Sequence, residues 1–550
     1  MRPTSAVLLS RLFESSPLRH ASFRLFYFGS IGVALGYTMQ ATIAAWLMAT
    51  LTPSALMVAL VQTASMAPTL LFGLLAGALA DIADRRKIIL ITQIVLFTAA
   101  VILGAATVAG ITGPAALLAL TFLIGTGFTF YLPAQQASVN ELVSRAELPR
   151  AVALSAVAFN VARAIGPALA GAIAAWSGSG TAFLAGALFF LVMIVALRRW
   201  KSRERALPGV PERLLSGVQS GLRYARHSAA MRSLLIRNLN FSVCASAFWA
   251  LLPVIARDQL ALGAGGFGLL SAGFGTGAIM GALSMPRQLQ SRPLNKVVTS
   301  GVLLWTVAIL LVAVSHITVI GIVGACCAGV AWVTVFASLS TGTQSTAPAW
   351  VRARAVAMNL VAVQASLAIG SALWGALAST FGTSIALVAS AILMVVLHLL
   401  NRRVRVTMGT EADVALGVQL PDMAIAVEPL PDDGPVLIQI EYRVDPENRN
   451  PFLRAIHAVE KIRRRNGATS WRVFRDLAED GRFVERYIIA SWAEYIRLRS
   501  RMTMRDRKVQ EHVEQFQQSD VPIRISRLIG VRPVDADSDE RDQVSKRPSS

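Results

Sequence analysis

Ionisable residues are scarce in the first 405 positions, and the few present are clustered. Residues 77–87 read Gly77-Ala-Leu79-Ala-Asp81-Ile82-Ala-Asp84-Arg85-Arg86-Lys87. An acid at a helix end beside Arg85 and Arg86 can make charge-assisted hydrogen bonds in one state and break them in another. Arg163 lies well inside an apolar run, where a charge is expensive and marks a functional position. It can hold an anionic group of a ligand, or pair with helix-end carbonyls or Glu141. Covalent and metal chemistry have little to work with. Cys244, Cys326 and Cys327 all sit in apolar runs without metal-site partners, so they read as small apolar residues. No GxxxxGK[ST] phosphate loop occurs, which argues against direct ATP drive. Neither a cofactor nor a metal is expected.

The elements that position these residues are membrane helices. Hydrophobic residues make up 54% of the chain and charged ones 15%, a balance that points to a bilayer rather than the cytosol. The charge is also split: residues 1–405 hold 29 Lys+Arg and 8 Asp+Glu, a net of +21, whereas 406–550 hold 23 and 24, a net of −1. Twelve apolar runs are long enough to cross a membrane. They lie near 25–48, 55–80, 88–110, 114–136, 151–176, 180–198, 235–256, 266–286, 296–314, 317–341, 354–378 and 382–400. With the N-terminus in the cytoplasm, 27 of the 29 basic residues fall on the cytoplasmic side and Arg257 alone on the other. This satisfies the positive-inside rule and places both termini in the cytoplasm. It also makes nucleic acid an unneeded explanation for the basic charge. The first apolar run follows four Arg and continues past 20 residues, so it is expected to anchor rather than be cleaved.

The chain repeats itself at an offset of 204. Residues 151–178 and 355–382 are identical at 14 of 28 positions without a gap. The same offset sets Gly73, Gly77, Ala78 and Leu79 on Gly277, Gly281, Ala282 and Leu283. The repeat equates span 2 with span 8 and span 5 with span 11, so the halves are parallel six-helix units with a substrate site between them. The expected organisation is an N-terminal arm (1–24), a first half (25–198), a cytoplasmic linker (199–234), a second half (235–401), a linker (402–434), a soluble domain (435–531) and a disordered tail (532–550).

The run at 77–87 resembles the signature between helices 2 and 3 of the major facilitator superfamily, with Gly77, Leu79, Asp81, Arg85 and Arg86 matching. Ile82 stands for the usual Arg and Asp84 for the usual Gly. The resemblance implies a cytoplasmic gate built from Gly77, Asp81, Arg85, Arg86 and Lys87. Span 5 reads Asn160-Val-Ala162-Arg163-Ala-Ile-Gly166-Pro167-Ala-Leu-Ala170-Gly171. It is similar to the superfamily's exporter-associated motif, in which small residues allow close helix approach and proline permits a bend. Asn160, Arg163, Gly166, Pro167 and Gly171 are its candidate residues. Across 20–400 the pattern resembles the transmembrane secretion effector branch, which includes the enterobactin exporter. In that superfamily spans 1, 4, 7 and 10 line the cavity. Here they offer Tyr37, Gln40, Phe128, Tyr131, Gln135, Asn238, Asn240, Trp249 and Trp332, a lining suited to a bulky amphipathic ligand. Proton antiport is implied by the family, although no Asp or Glu lies in mid-membrane. Asp81, Glu141 and Asp258, at span ends, are the remaining carriers.

The C-terminal part reads as strand 436–444, helix 447–465, strands 469–477 and 482–490 around a turn at Glu479-Asp480-Gly481, helix 492–517 and strand 522–530. The order βαββαβ is a ferredoxin-like split motif. Ala490-Ser491-Trp492-Ala-Glu494-Tyr495 resembles domains of the antibiotic-biosynthesis monooxygenase type, which pair through their sheets and so imply a homodimer. His457 and His512 are its only histidines and read as solvated helix residues, so the domain is expected to dimerise or regulate. The function expected is secondary active export of a small siderophore-like or drug-like molecule across the plasma (inner) membrane, with lipid, substrate and protons as partners. A membrane-anchored sensor or enzyme acting through the tail, and an importer on the same scaffold, are the alternatives. The acid at 81 favours a gated transporter, since a pure receptor has no need of a gate.

Overall fold

The computed structural model describes residues 17–144, 147–199, 222–404, 406, 408–410 and 429–531. The arm before residue 17, most of the linker between the halves, residues 411–428 and the tail from 532 lie outside the described residues.

Twelve helices among the described residues are long and apolar enough to cross a membrane. They are α1 (Ala21–Leu51), α2 (Ala55–Ile82), α3 (Arg85–Val108), α4 (Pro114–Leu142), α5 (Leu148–Ser177), α6 (Ser179–Arg199), α7 (Ala229–Val254), α8 (Ala264–Ser291), α9 (Leu294–Val314), α10 (Thr318–Thr346), α11 (Ala349–Phe381) and α12 (Thr383–Leu400). All twelve expected spans are present. Their boundaries are set by local chemistry. Ser54 caps α2 by accepting from the Met57 N–H. Asp84 caps α3 by accepting from the N–H groups of Arg86 and Lys87, a use that explains an acid where the related signature has glycine. The tight turns α5–α6 and α11–α12 are made by Gly178 (φ +89°) and Gly382 (φ +92°), which are 204 residues apart. The internal repeat thus extends to a backbone angle that favours glycine.

Span 7 differs from expectation at both ends. It starts at residue 229 rather than 235 and continues past Val254 as a π-turn, Ile255–Gln259. Pro253 sits inside the last turn of the helix, where its missing N–H loosens the ladder and allows the wider turn.

The chain packs as two compact units. The first comprises residues 1–214, 233–343 and 356–407 and holds the body of all twelve helices. Within it α1 packs on α5 and α6, α2 on α4, α3 on α4 and α6, α9 on α12, and α5 on α8.

The second unit comprises residues 215–232, 344–355 and 408–550. Its described part is built on a four-stranded antiparallel sheet in the order β2-β3-β1-β4, from β1 (Val436–Arg443), β2 (Ala468–Arg475), β3 (Arg482–Ile489) and β4 (Arg524–Ile529). Helix α13 (Arg449–Asn466) follows β1 and ends at Gly467, whose φ is +137°. Alternation along β1 sends Val436, Ile438, Ile440 and Tyr442 into a core with Phe452, Ile456 and Val459 of α13. The helix expected over 492–517 is instead two, α14 (Trp492–Arg501) and α15 (Met504–Glu514). Thr503 breaks it: its extended backbone and hydroxyl form a capping box with Asp506, satisfying N–H groups that a continuous helix would have used internally.

Candidate functional site

The two halves of the first unit meet along two helix pairs, α5 with α8 and α2 with α11, which the 204-residue offset interchanges. A Cβ built on Gly171 of α5 would come within 2.8 Å of the Gly268 Cα, and one on Gly268 would meet the Pro167 carbonyl at 2.9 Å. On the other pair, Gly375 of α11 lies against Leu56 and Ala59 of α2, and the Thr63 hydroxyl donates to the Ala368 carbonyl at 2.9 Å. Small residues are therefore the condition for contact, as expected between helices in lipid. Gly166 and its repeat mate Gly370 play the same part within each half. Gly166 leaves room for Thr38 of α1, and Gly370 for Val243 and Ser246 of α7. Of the exporter-type residues, Gly166, Pro167 and Gly171 thus lie at helix contacts. Asn160 is exposed one turn from Arg163.

Arg163 reaches across the halves. Its guanidinium carbon lies 5.8 Å from the centroid of the Trp249 ring on α7. Trp249 in turn meets Phe274 (4.3 Å), Phe248 (5.8 Å) and Trp332 (6.0 Å) edge to face. A cation over a tryptophan face is attracted by the ring quadrupole, by about 0.5–2 kcal/mol according to desolvation. Both partners sit four residues before a proline, Pro167 and Pro253. Each proline removes the N–H that would bond the partner's carbonyl, so the helices are locally pliable where they face one another.

The other candidate lining residues separate into three groups. Tyr37 and Phe128 stack with centroids 3.9 Å apart and planes at 11°, and Tyr131 adjoins Phe128 at 5.9 Å. Gln135 is buried on the same helix. Gln40 is buried and donates to the Phe183 carbonyl of α6 at 2.8 Å, which turns it into the first half. Asn238 is buried and donates to Asn359 of α11 at 2.7 Å. Asn240 borders a small gap inside the second half with Arg237 and His398. Arg237 donates to His398 Nδ1 at 2.9 Å and to the Asn401 carbonyl at 2.8 Å, fixing the end of α12. Sequence reasoning did not single out Asn359 or Arg237. The helical spacing of Asn359 from Ser366 on α11 carried no distinguishing signal.

At the gate motif, Arg85 donates to the Ala80 carbonyl at 3.0 Å and pairs with Glu141 at the end of α4. It braces α2 to α4 within the first half. Asp81 lies in the last turn of α2, and its side chain falls outside the described ones. A Cβ on Gly77 would meet nothing within 4 Å. Arg86 and Lys87 open α3 as half-buried and exposed residues, their N–H groups held by Asp84. Nearby, Glu147 accepts from the Ser144 hydroxyl at 2.7 Å and pairs with Arg19 at 2.8 Å. The Ser144 bond, opposed by burial and aided by His20 and Arg19, pulls its carboxyl down to about 2.

At the opposite end of the bundle, Arg257 of the π-turn donates to the carbonyls of Ala49 and Thr52, the latter at 2.9 Å, while its other face pairs with Asp258. A second-half cation thus caps the C-terminus of α1, where the helix dipole favours it. Trp46 of α1 stacks on Phe267 of α8 at 5.7 Å close by.

This arrangement, two six-helix halves facing through aromatic and cationic side chains, fits a known group. Residues 13–534 match the family described as transmembrane secretion effector. The chain belongs to that family. Among curated proteins, the staphyloferrin A transporter of Staphylococcus aureus (strain NCTC 8325 / PS 47) is 23% identical over 246 residues, 44% of this chain. The match spans 62% of that relative's length. Solved structures with the same fold include a bacterial homolog to the human lysosomal transporter Spinster in an inward-facing, occupied conformation (TM-score 0.59, 14% identity, 71% of this chain and 98% of that one). A POT family transporter in complex with 5-aminolevulinic acid has a TM-score of 0.59 at 12% identity, over 71% of this chain and 98% of that one. The chain is accordingly a multi-pass membrane protein in a family of major facilitator-type transporters.

In the C-terminal unit, a buried network centres on Glu485. It pairs with Arg463 at 3.0 Å and accepts from Trp471 Nε1 at 2.9 Å and from the Tyr442 hydroxyl at 3.2 Å. No group of three metal-capable side chains occurs among the described residues.

Proposed function

We propose that this protein exports a small amphipathic anion of the siderophore-like or drug-like kind by alternating access, driven by proton antiport. The observation that carries this reading is Arg163 facing Trp249 across the two halves. A fixed cation over an aromatic cluster suits a ligand that presents both carboxylate and ring or alkyl surface. Kinship to a transporter of staphyloferrin A supports the same ligand class. The positive-inside charge puts both termini in the cytoplasm of the plasma membrane. On that orientation the Gly171–Gly268 and Arg257–α1 contacts close the outer end, as an inward-facing state that loads substrate for export requires. The gate of Gly77, Asp81, Arg85, Arg86 and Lys87 then works at the inner end. The C-terminal sheet leaves Phe474 and Leu528 exposed on the face opposite the α13 core, and a homodimer through this face is part of the same reading.

The test is transport by the purified full-length protein in liposomes, with staphyloferrin A and ethidium as probes and an imposed pH gradient. Gradient-driven movement of staphyloferrin A, abolished by Arg163→Leu, is the expected result. Movement of ethidium alone, unaffected by that substitution, would overturn the anionic-ligand reading. Movement down the proton gradient together with protons would make the protein an importer.

A further inference from the structure

The second compact unit contains more than the C-terminal domain. It includes residues 344–355, where α10 ends and α11 begins, and residues 215–232, the approach to α7. The centre of that grouping is Glu494, in the first turn of α14. Its Oε1 accepts from Arg223 Nη2 at 3.0 Å and Arg501 Nη1 at 2.7 Å, and its Oε2 accepts from Arg497 Nε at 2.9 Å. Burial opposes the charge, but Arg501, Arg497 and Arg223 together hold the carboxyl below its ordinary range. Arg501 is itself buried, donates to the Asn466 carbonyl at 3.3 Å, and lays its guanidinium 4.4 Å over the ring of Trp350 in the first turn of α11. Trp350 meets Tyr224 edge to face at 5.9 Å, and the Tyr224 hydroxyl donates to the carbonyl of Thr346, the last residue of α10, at 3.2 Å. A further bond runs from the Gly409 N–H, after α12, to Ser345 Oγ at 3.2 Å.

One carboxylate therefore ties together the soluble domain, the lead into α7 and, through Arg501 and Trp350, the α10–α11 turn. The lead into α7 and the α10–α11 turn both adjoin the second half of the transporter, and α10 and α11 run on into the membrane unit as unbroken helices. Arg223 and Arg501 are shielded charged partners of Glu494, so removing the carboxylate leaves buried charge without compensation. Pinning Arg223 also fixes where the inter-half linker ends.

We propose that the C-terminal domain is a regulatory clamp on the second half, with Glu494 as its central residue, biasing the transporter toward the conformation seen here. The clamp rests on the alternating-access reading above. The sheet and its exposed face have no part in it, so it operates within one chain.

The test uses the full-length protein in nanodiscs, with the three native cysteines replaced by alanine and spin labels on Arg150→Cys and Gln290→Cys, exposed positions on the first and second halves. The distance distribution is recorded with and without staphyloferrin A, at neutral and acid pH. Glu494→Arg and Trp350→Leu are each expected to change the ratio of the two populations by about tenfold, the order set by one shielded charge-assisted contact. The double variant should change it no further, because both break the same chain of contacts. Should Glu494→Arg unfold the domain, Trp350→Leu decides alone, since it alters the membrane-helix side of the contact. A wild-type protein that switches between two distances while both variants match it would overturn the clamp alone. A wild-type protein with a single distance under every condition would overturn the alternating-access reading and the clamp with it.

Discussion

Gly171 of α5 and Gly268 of α8 touch backbone to backbone, with no side chain between them. Nothing larger than hydrogen fits on either, so Gly171→Leu must push the halves apart at this end. Overpacking of this kind costs about 1–3 kcal/mol. Transport is expected to fall at least tenfold while the protein still inserts in the membrane, measured by flux against surface-labelled protein. Gly263→Ala is the control: its Cβ would enter open space, and flux should stay near wild type.

Arg163 and Trp249 are predicted to act as a pair. Arg163→Leu and Trp249→Leu should each weaken staphyloferrin A binding by about 3- to 30-fold, the range of a partly desolvated cation–π contact. Their combination should be less than additive in a double-mutant cycle by calorimetry. Full additivity would separate the two residues functionally.

Arg257 holds α1 through main-chain carbonyls. Arg257→Ala should increase the reactivity of a cysteine introduced at Thr52 toward an impermeant thiol reagent by about 10- to 100-fold, because the charge-assisted bonds are worth about 1.5–3 kcal/mol. Arg257→Lys should recover part of the protection, since a single ammonium reaches fewer carbonyls.

For Glu147, a carboxyl lowered to about 2 from an ordinary 4.5 favours the ionised, folded arrangement. Its contribution is fully present above about pH 5 and disappears as the pH falls through the folded value. Hydrogen exchange in residues 17–24 should therefore be insensitive to Glu147 protonation between about pH 5 and 8. Exchange there should accelerate only in strong acid. Glu147→Gln should show the fast exchange at neutral pH.

Glu485→Gln leaves Arg463 buried without its counter-charge. Breaking one side of a buried pair costs about 3–5 kcal/mol. The domain's unfolding transition, followed by Trp471 emission in the full-length protein, should drop well below wild type. Restoring neutrality with Arg463→Met in addition should recover part of the loss.

The span count was legible because a bilayer imposes length and polarity on every crossing. The 204-residue repeat was legible because small residues at helix contacts tolerate little change. It sets Gly171 and Gly375 at matching positions of the two halves. The partners of those residues were not legible: nothing in a run of small residues such as Gly268 names the helix it faces. Arg163 stood out as a charge in an apolar run, but Trp249 was one aromatic among many until the fold brought them together. The split of the last long helix was missed because Thr503 and Asp506 are unremarkable in an amphipathic run. Their capping box becomes visible only through the backbone. Asp84 departs from the related signature, and the backbone shows why: it is the cap that starts α3.

The bond from Arg257 to Ala49 and Thr52 carries a lesson for comparing relatives. Its acceptors are peptide oxygens, which every residue type supplies equally. Substitutions along the end of α1 can therefore drift without a compensating change at position 257, and paired-mutation statistics would pass over this closure in silence. Its trace in related sequences would be a solitary basic residue retained where outward-facing loops otherwise shed positive charge.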